Sequence, residues 1–103
     1  MRIITKPLFK SGLKDILTYI GHDSKVRAKQ FNKTLFVGIN SLDNFPYKFR
    51  KSVYFDNEHI RDYVFKGYTI PYLIDEENDV IVVLDIFKWM EKKWQTKKNV
   101  LMN

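Results

Sequence analysis

A chain of 103 residues with 45% hydrophobic and 16% aromatic side chains, but only four glycines and three prolines, has the make-up of one small folded domain. That composition excludes disordered, collagenous and low-complexity classes, and the absence of cysteine excludes a disulfide framework or a thiolate metal site. The net charge of +6 is uneven: residues Met1 to Lys51 carry +8 and the remainder −2, a field that suits a polyanion or an acidic protein partner equally.

No stretch of about 18 apolar residues is present, as a membrane span requires. The apolar run in MRIITKPLFK is too short for a secretory signal. A cytoplasmic protein with no membrane association is expected. In chain order, Ile3 and Ile4 lie in a short extended start that Pro7 closes. Phe9, Leu13, Ile16, Leu17 and Ile20 recur at helical spacing, which predicts a helix stopping near Gly21. After a linker of three or four residues, Asp23 or Ser24 caps a second helix with the stripe Ala28, Phe31, Leu35, Ile39 and Leu42. A linker that short makes the two helices an antiparallel hairpin, and Asn44-Phe45-Pro46 ends the helical part.

The rest reads as sheet. Strands are expected over Ser52 to Phe55, Ile60 to Phe65, Tyr68 to Asp75 and Val80 to Ile86, the last almost continuously apolar. Lys66-Gly67 marks a hairpin turn, and Asp56-Asn57-Glu58 and Glu76 to Asp79 are polar turns. Pro71 interrupts the third of these strands, so that strand either has a free side there or bulges. Met90 and Trp94, four apart, predict a short C-terminal helix packing back on the sheet. The expected architecture is α+β, residues 1–103 as one domain. It comprises an N-terminal strand, an antiparallel helical hairpin on a four- to five-stranded, mainly antiparallel sheet, and the short C-terminal helix.

The element order and four local motifs, LKDILTYI (Leu13 to Ile20), LDNFPYKFRKSVYFD (Leu42 to Asp56), IRDYVFKGYTIPYLID (Ile60 to Asp75) and VIVVLDIFKW (Val80 to Trp89), resemble the RelE/ParE superfamily. These are toxins of bacterial type II toxin–antitoxin systems, and the ParE-like members belong to the plasmid-stabilisation family. The resemblance covers roughly Lys6 to Lys92. It implies a growth inhibitor neutralised by a cognate antitoxin that wraps the toxin and often covers its C-terminal strand and helix. It also implies one of two activities: ParE-like inhibition of DNA gyrase, or RelE-like cleavage of messenger RNA in the ribosomal A site.

Arg61 matches the strand arginine of that family, which in RNA-cutting members helps hold the scissile phosphate, a task suited to the guanidinium fork. His59 and Tyr63 share its face by strand alternation, so base, phosphate clamp and polar orienter stand in one row. The other reading pairs Arg61 with a carboxylate, with Asp85 the candidate; a buried Asp85 requires a partner such as Arg61 or Lys88. Lys48, Arg50 and Lys51, interleaved with Tyr47 and Phe49, form either a nucleic-acid or target-binding cluster or a solvated loop. Lys25, Lys29 and Lys33 make one basic stripe on the second helix, either a wet face or a contact for an acidic antitoxin. Trp94 is a further antitoxin contact under the resemblance.

The chain departs from RNA-cutting relatives after the last strand. There it carries Phe87-Lys88-Trp89 without an imidazole; in an endonuclease Lys88 is a catalytic candidate that stabilises charge but is a poor proton shuttle, and Lys88 and Trp89 are also candidate target-binding residues. His22 and His59 lack companions at metal spacing, so neither a metal nor another cofactor is expected. Three functions remain open on these grounds: a gyrase-binding toxin, a ribosome-dependent mRNA endonuclease, and a non-toxic binding module for an acidic partner.

Overall fold

Pro7 occupies the first helical position, where its missing N–H costs nothing and its fixed φ suits the turn from strand into helix. The computed structural model describes residues 1–88, and Trp89, Met90 and Trp94 with the expected C-terminal helix lie outside them. The chain runs β1 (Arg2–Thr5), α1 (Pro7–Asp23), α2 (Lys25–Asn40), a 3-10 turn (Ser41–Asp43), β2 (Ile60–Phe65), β3 (Tyr68–Asp75), β4 (Val80–Val83) and β5 (Phe87–Lys88). α1 continues through Gly21, and the linker shrinks to Ser24. Ser24 serves both helices: its N–H donates to Ile20 O, and its hydroxyl oxygen accepts from the Arg27 N–H at 3.1 Å. Phe9 and Leu13 of α1 are buried with Phe31, Leu35 and Ile39 of α2 and Leu42 beyond it, while Ile16, Leu17 and Ile20 pack half-buried against them.

The helical hairpin covers one face of a mixed five-stranded sheet. Its order is β1-β4-β3-β2, with β1 parallel to β4 and the other pairings antiparallel; β5 joins the first half of β3. Lys66 and Gly67 both take positive φ, as a tight hairpin turn between right-twisted strands demands. The β3–β4 turn is closed by the Asp75 carboxylate. It accepts from the Asn78 N–H at 3.1 Å and side-chain amide at 2.9 Å, which holds its pKa below the usual value. Ile70, Tyr72 and Ile74 of β3, with Ile81 and Val83 of β4, face the helices and are buried.

Two expected strands change. Ser52 to Phe55 forms none, and only Lys51 bridges to Arg61. The donors a strand would use go elsewhere: the Val53 N–H to a side-chain oxygen of Asp62, and the Tyr54 N–H to Ser52 Oγ. The run Val80 to Ile86 stops at Val83 and resumes as β5. Tyr72 pairs with Val83 and Thr69 with Phe87, so residues 84–86 oppose only residues 70–71, a bulge of one residue. Pro71 lies opposite this bulge. β3 is a central strand, and the ladder donor that Pro71 lacks falls where β4 gives way to β5, while its carbonyl still accepts from the Leu84 N–H at 2.9 Å.

Gly38 lets α2 meet β2. A Cβ there would stand 1.9 Å from Tyr63 Oη and 2.7 Å from Cζ, and the Tyr63 ring is held against Phe49 at 5.2 Å. Gly38→Ala is expected to cost about 1–3 kcal/mol through overpacking. A gain of about 1 kcal/mol in helix propensity offsets part of this. The net result is a lower thermal midpoint, measured by calorimetry; an unchanged or raised midpoint would show that Tyr63 swings away freely.

Candidate functional site

Residues 44–59 cross from the end of the helical layer to the start of β2 without a strand or helix, and three side chains of β2 and β3 pin them. Tyr72, fully buried in β3, reaches up so that its hydroxyl donates to Pro46 O at 2.6 Å. Burial pushes its pKa up to about 12. Arg61, across the ladder from Tyr72, donates from Nε to Glu58 O at 3.2 Å and from Nη1 to Phe49 O at 3.2 Å and Tyr47 O at 3.5 Å. Its guanidinium also lies 4.9 Å from the centre of the Tyr47 ring. Asp62 points to the opposite sheet face, where its Oδ2 accepts from the Val53 N–H at 3.1 Å and meets Arg50 Nη2 at 3.4 Å.

His59 and Arg61 meet around one ring, as strand alternation implies: Tyr47 Oη and His59 Nδ1 share a hydrogen bond of 3.0 Å. His59 Nε2 lies 4.0 Å from Glu58 Oε1. The Tyr47 phenol is held above its usual pKa by desolvation, with the Glu76 carboxylate adding to the effect. Tyr63 leaves this group and packs inward between Phe49 and Phe65, its pKa raised by burial. Lys48, Arg50 and Lys51 are exposed on the loop that these contacts hold. Lys48 Nζ lies 5.3 Å from the centre of the Phe49 ring.

Lys88 stands apart from this cluster. It pairs with Tyr68 of β3 while Arg61 pairs with Tyr72; four residues of strand at about 3.3 Å each place them roughly 13 Å apart along β3. Its ammonium lies 6.0 Å from the ring centres of Tyr19 and Tyr68. With Gly12, Asp15 and Phe87 these residues line a groove of about 460 Å³ between α1 and the β3–β5 pair. Lys25, Lys29 and Lys33 are exposed on α2.

Asp85 is buried beside Gly12, and its Oδ1 accepts from the Ile86 N–H at 2.7 Å. Arg61 gives its donors to carbonyl oxygens, and the acid that meets an arginine on the neighbouring loop is Asp62, with Arg50. Sequence reasoning passed over Asp62 and Tyr72. For Asp62 a signal existed: it shares a strand phase with Ile60, so an acid was due to be buried. For Tyr72 none did, since a tyrosine in an apolar strand reads as plain core.

Among the described residues no helix is long and apolar enough to cross a membrane. No curated protein matches the sequence. The family model for the ParE toxin of the type II toxin–antitoxin system parDE matches residues 3–91, so the chain belongs to this toxin family of the RelE/ParE superfamily, whose members work opposite a cognate antitoxin.

Proposed function

We propose that this toxin acts by binding its target rather than by cutting RNA, with DNA gyrase as the target and a cognate antitoxin as its neutralising partner in the cytoplasm. One observation carries the reading. The Arg61 guanidinium, the first choice for a phosphate clamp, donates to the carbonyls of Glu58, Tyr47 and Phe49. With Nε and Nη1 aimed at backbone oxygens, the guanidinium has to break those bonds before it can use its full fork on a phosphate. Lys88, the second cation of a cleavage scheme, stands several residues along the sheet. Lys48, Arg50 and Lys51 are then the target-binding cations, and the stripe Lys25, Lys29 and Lys33 together with Trp94 contacts an acidic antitoxin.

A ribosome-dependent endonuclease is the second reading, favoured by the Tyr47–His59 hydrogen bond beside Arg61. In that scheme His59 moves the proton, and Arg61 turns outward to the phosphate. Induced expression in a bacterial host with pulse labelling separates the two. An early fall in DNA synthesis with a DNA-damage response is expected. An early fall in protein synthesis with cleaved messages would replace the gyrase reading with the endonuclease.

A further inference from the structure

We propose that Asp62 is a positioning residue for the basic loop: its buried carboxylate fixes Arg50 and the turn at Val53. It thereby sets the direction in which Lys48, Arg50 and Lys51 meet an acidic protein surface. This rests on the reading of that loop as the target-binding surface.

The geometry gathers around one side chain. Asp62 is 1% exposed, while the Arg50 side chain it meets is 49% exposed. The Asp62 N–H donates to Arg50 O at 3.1 Å, and the Ser52 N–H to Ile60 O at 2.8 Å. Together with the Lys51–Arg61 bridge and the Val53 N–H on Oδ2, these contacts tie residues 50–53 to the start of β2. Tyr54 then turns under the sheet to lie edge-on to Phe87, ring centres 5.0 Å apart. The basic residues follow one another at 48, 50 and 51, so the hold on Arg50 and Val53 orients all three.

Stability alone gives a poor account of the charge. A fully buried carboxylate loses its hydration, and here it regains one ion-pair contact of 3.4 Å and one N–H. Its Oδ1 is buried without a hydrogen-bond partner, so the fork-to-fork geometry that makes an arginine pair strong is not used. An asparagine of the same shape would keep the Val53 bond and carry a smaller desolvation penalty than the charged group. What it would lose is the grip on Arg50. The carboxylate therefore acts on the direction of a cation whose side chain stays 49% exposed.

Asp62→Asn, Arg50→Gln and the double variant test this in the full chain. The readouts are the inducer concentration that arrests growth, the thermal midpoint, hydrogen exchange at the Val53 amide, and the Arg50 Nε–H resonance. Asp62→Asn is expected to leave the midpoint near that of the parent protein and to broaden or shift the Arg50 resonance. It is also expected to weaken growth arrest about ten-fold, the worth of one charge-assisted contact. Arg50→Gln should match it, and the double variant should be no weaker than either. Full toxicity of Asp62→Asn, or effects that add in the double variant, would overturn the proposal, as would an unchanged Arg50 resonance. Failure of the underlying reading looks different: the parent protein itself then arrests no growth, or arrests it equally after Lys48, Arg50 and Lys51 are all changed to Gln.

Discussion

Arg61→Gln is expected to lower stability by about 2–3 kcal/mol, with the thermal midpoint falling by about 10–20 °C. The reason is the fate of the guanidinium. It holds Phe49 O and Glu58 O at 3.2 Å each and Tyr47 O more loosely, and it covers the Tyr47 ring. A bond from a charged donor to a carbonyl contributes about 1.5–3 kcal/mol, and the half-buried position of Arg61 keeps the sum below that of two such bonds. Arg61→Lys is expected to fall almost as far, because a single ammonium cannot bridge three carbonyls in a fixed fork. The comparison discriminates sharply. A residue serving only as a phosphate clamp would lose activity at parental stability, and its lysine variant would keep part of that activity. Thermal denaturation of both variants beside growth arrest measures the difference, and parental midpoints in both would sink the anchoring role.

Tyr72 offers the second large effect, and it depends on pH. Tyr72→Ala removes a fully buried ring and is expected to cost about 3–5 kcal/mol. Tyr72→Phe removes only the bond to Pro46 O, about 0.5–1.5 kcal/mol. The neutral phenol is the form the folded protein favours: burial raises its pKa to about 12 from 10.0. A raised folded pKa means that the native state holds the proton more tightly than the unfolded chain. Stability from this group is then complete below about pH 10 and is lost as pH rises from about 10 to 12. Two pKa units correspond to about 3 kcal/mol. Tyr47, Tyr54 and Tyr63 shift in the same direction through burial and add to the same window. Denaturant unfolding of the parent protein and Tyr72→Phe between pH 8 and about 12 is the measurement. The parent is expected to lose stability more steeply above about pH 10. Parallel curves would place the alkaline sensitivity in the other tyrosines.

The helices were legible because their evidence is local. Phe31, Leu35 and Ile39 recur at a spacing that has one buried solution, and Ser24 carries its own capping oxygen. The Lys66-Gly67 turn was legible for the same reason, since two residues between alternating strands admit few geometries. The sheet's irregularities were only half legible. Pro71 announced that something must give in the ladder, but the bulge that accommodates it sits on the neighbouring strand at residues 84–86. No pattern within β3 contains that information. The family could be read from the order and spacing of whole elements, which is a long-range property of the sequence itself.

The site divided along the same line. Composition and motif singled out Arg61, His59 and the cations at 48, 50 and 51, and the fold does bring His59 and Arg61 to one ring. Periodicity and turn chemistry by themselves determined the two helices, the β2–β3 hairpin and the basic character of the loop between the layers. Tertiary structure alone decided which acid meets which arginine, where the Arg61 donors go, and how residues 44–59 lie. Those outcomes are settled by groups that meet from far along the chain, such as Tyr72 with Pro46 and Asp62 with Arg50, competing for the same few donors and acceptors once water is gone.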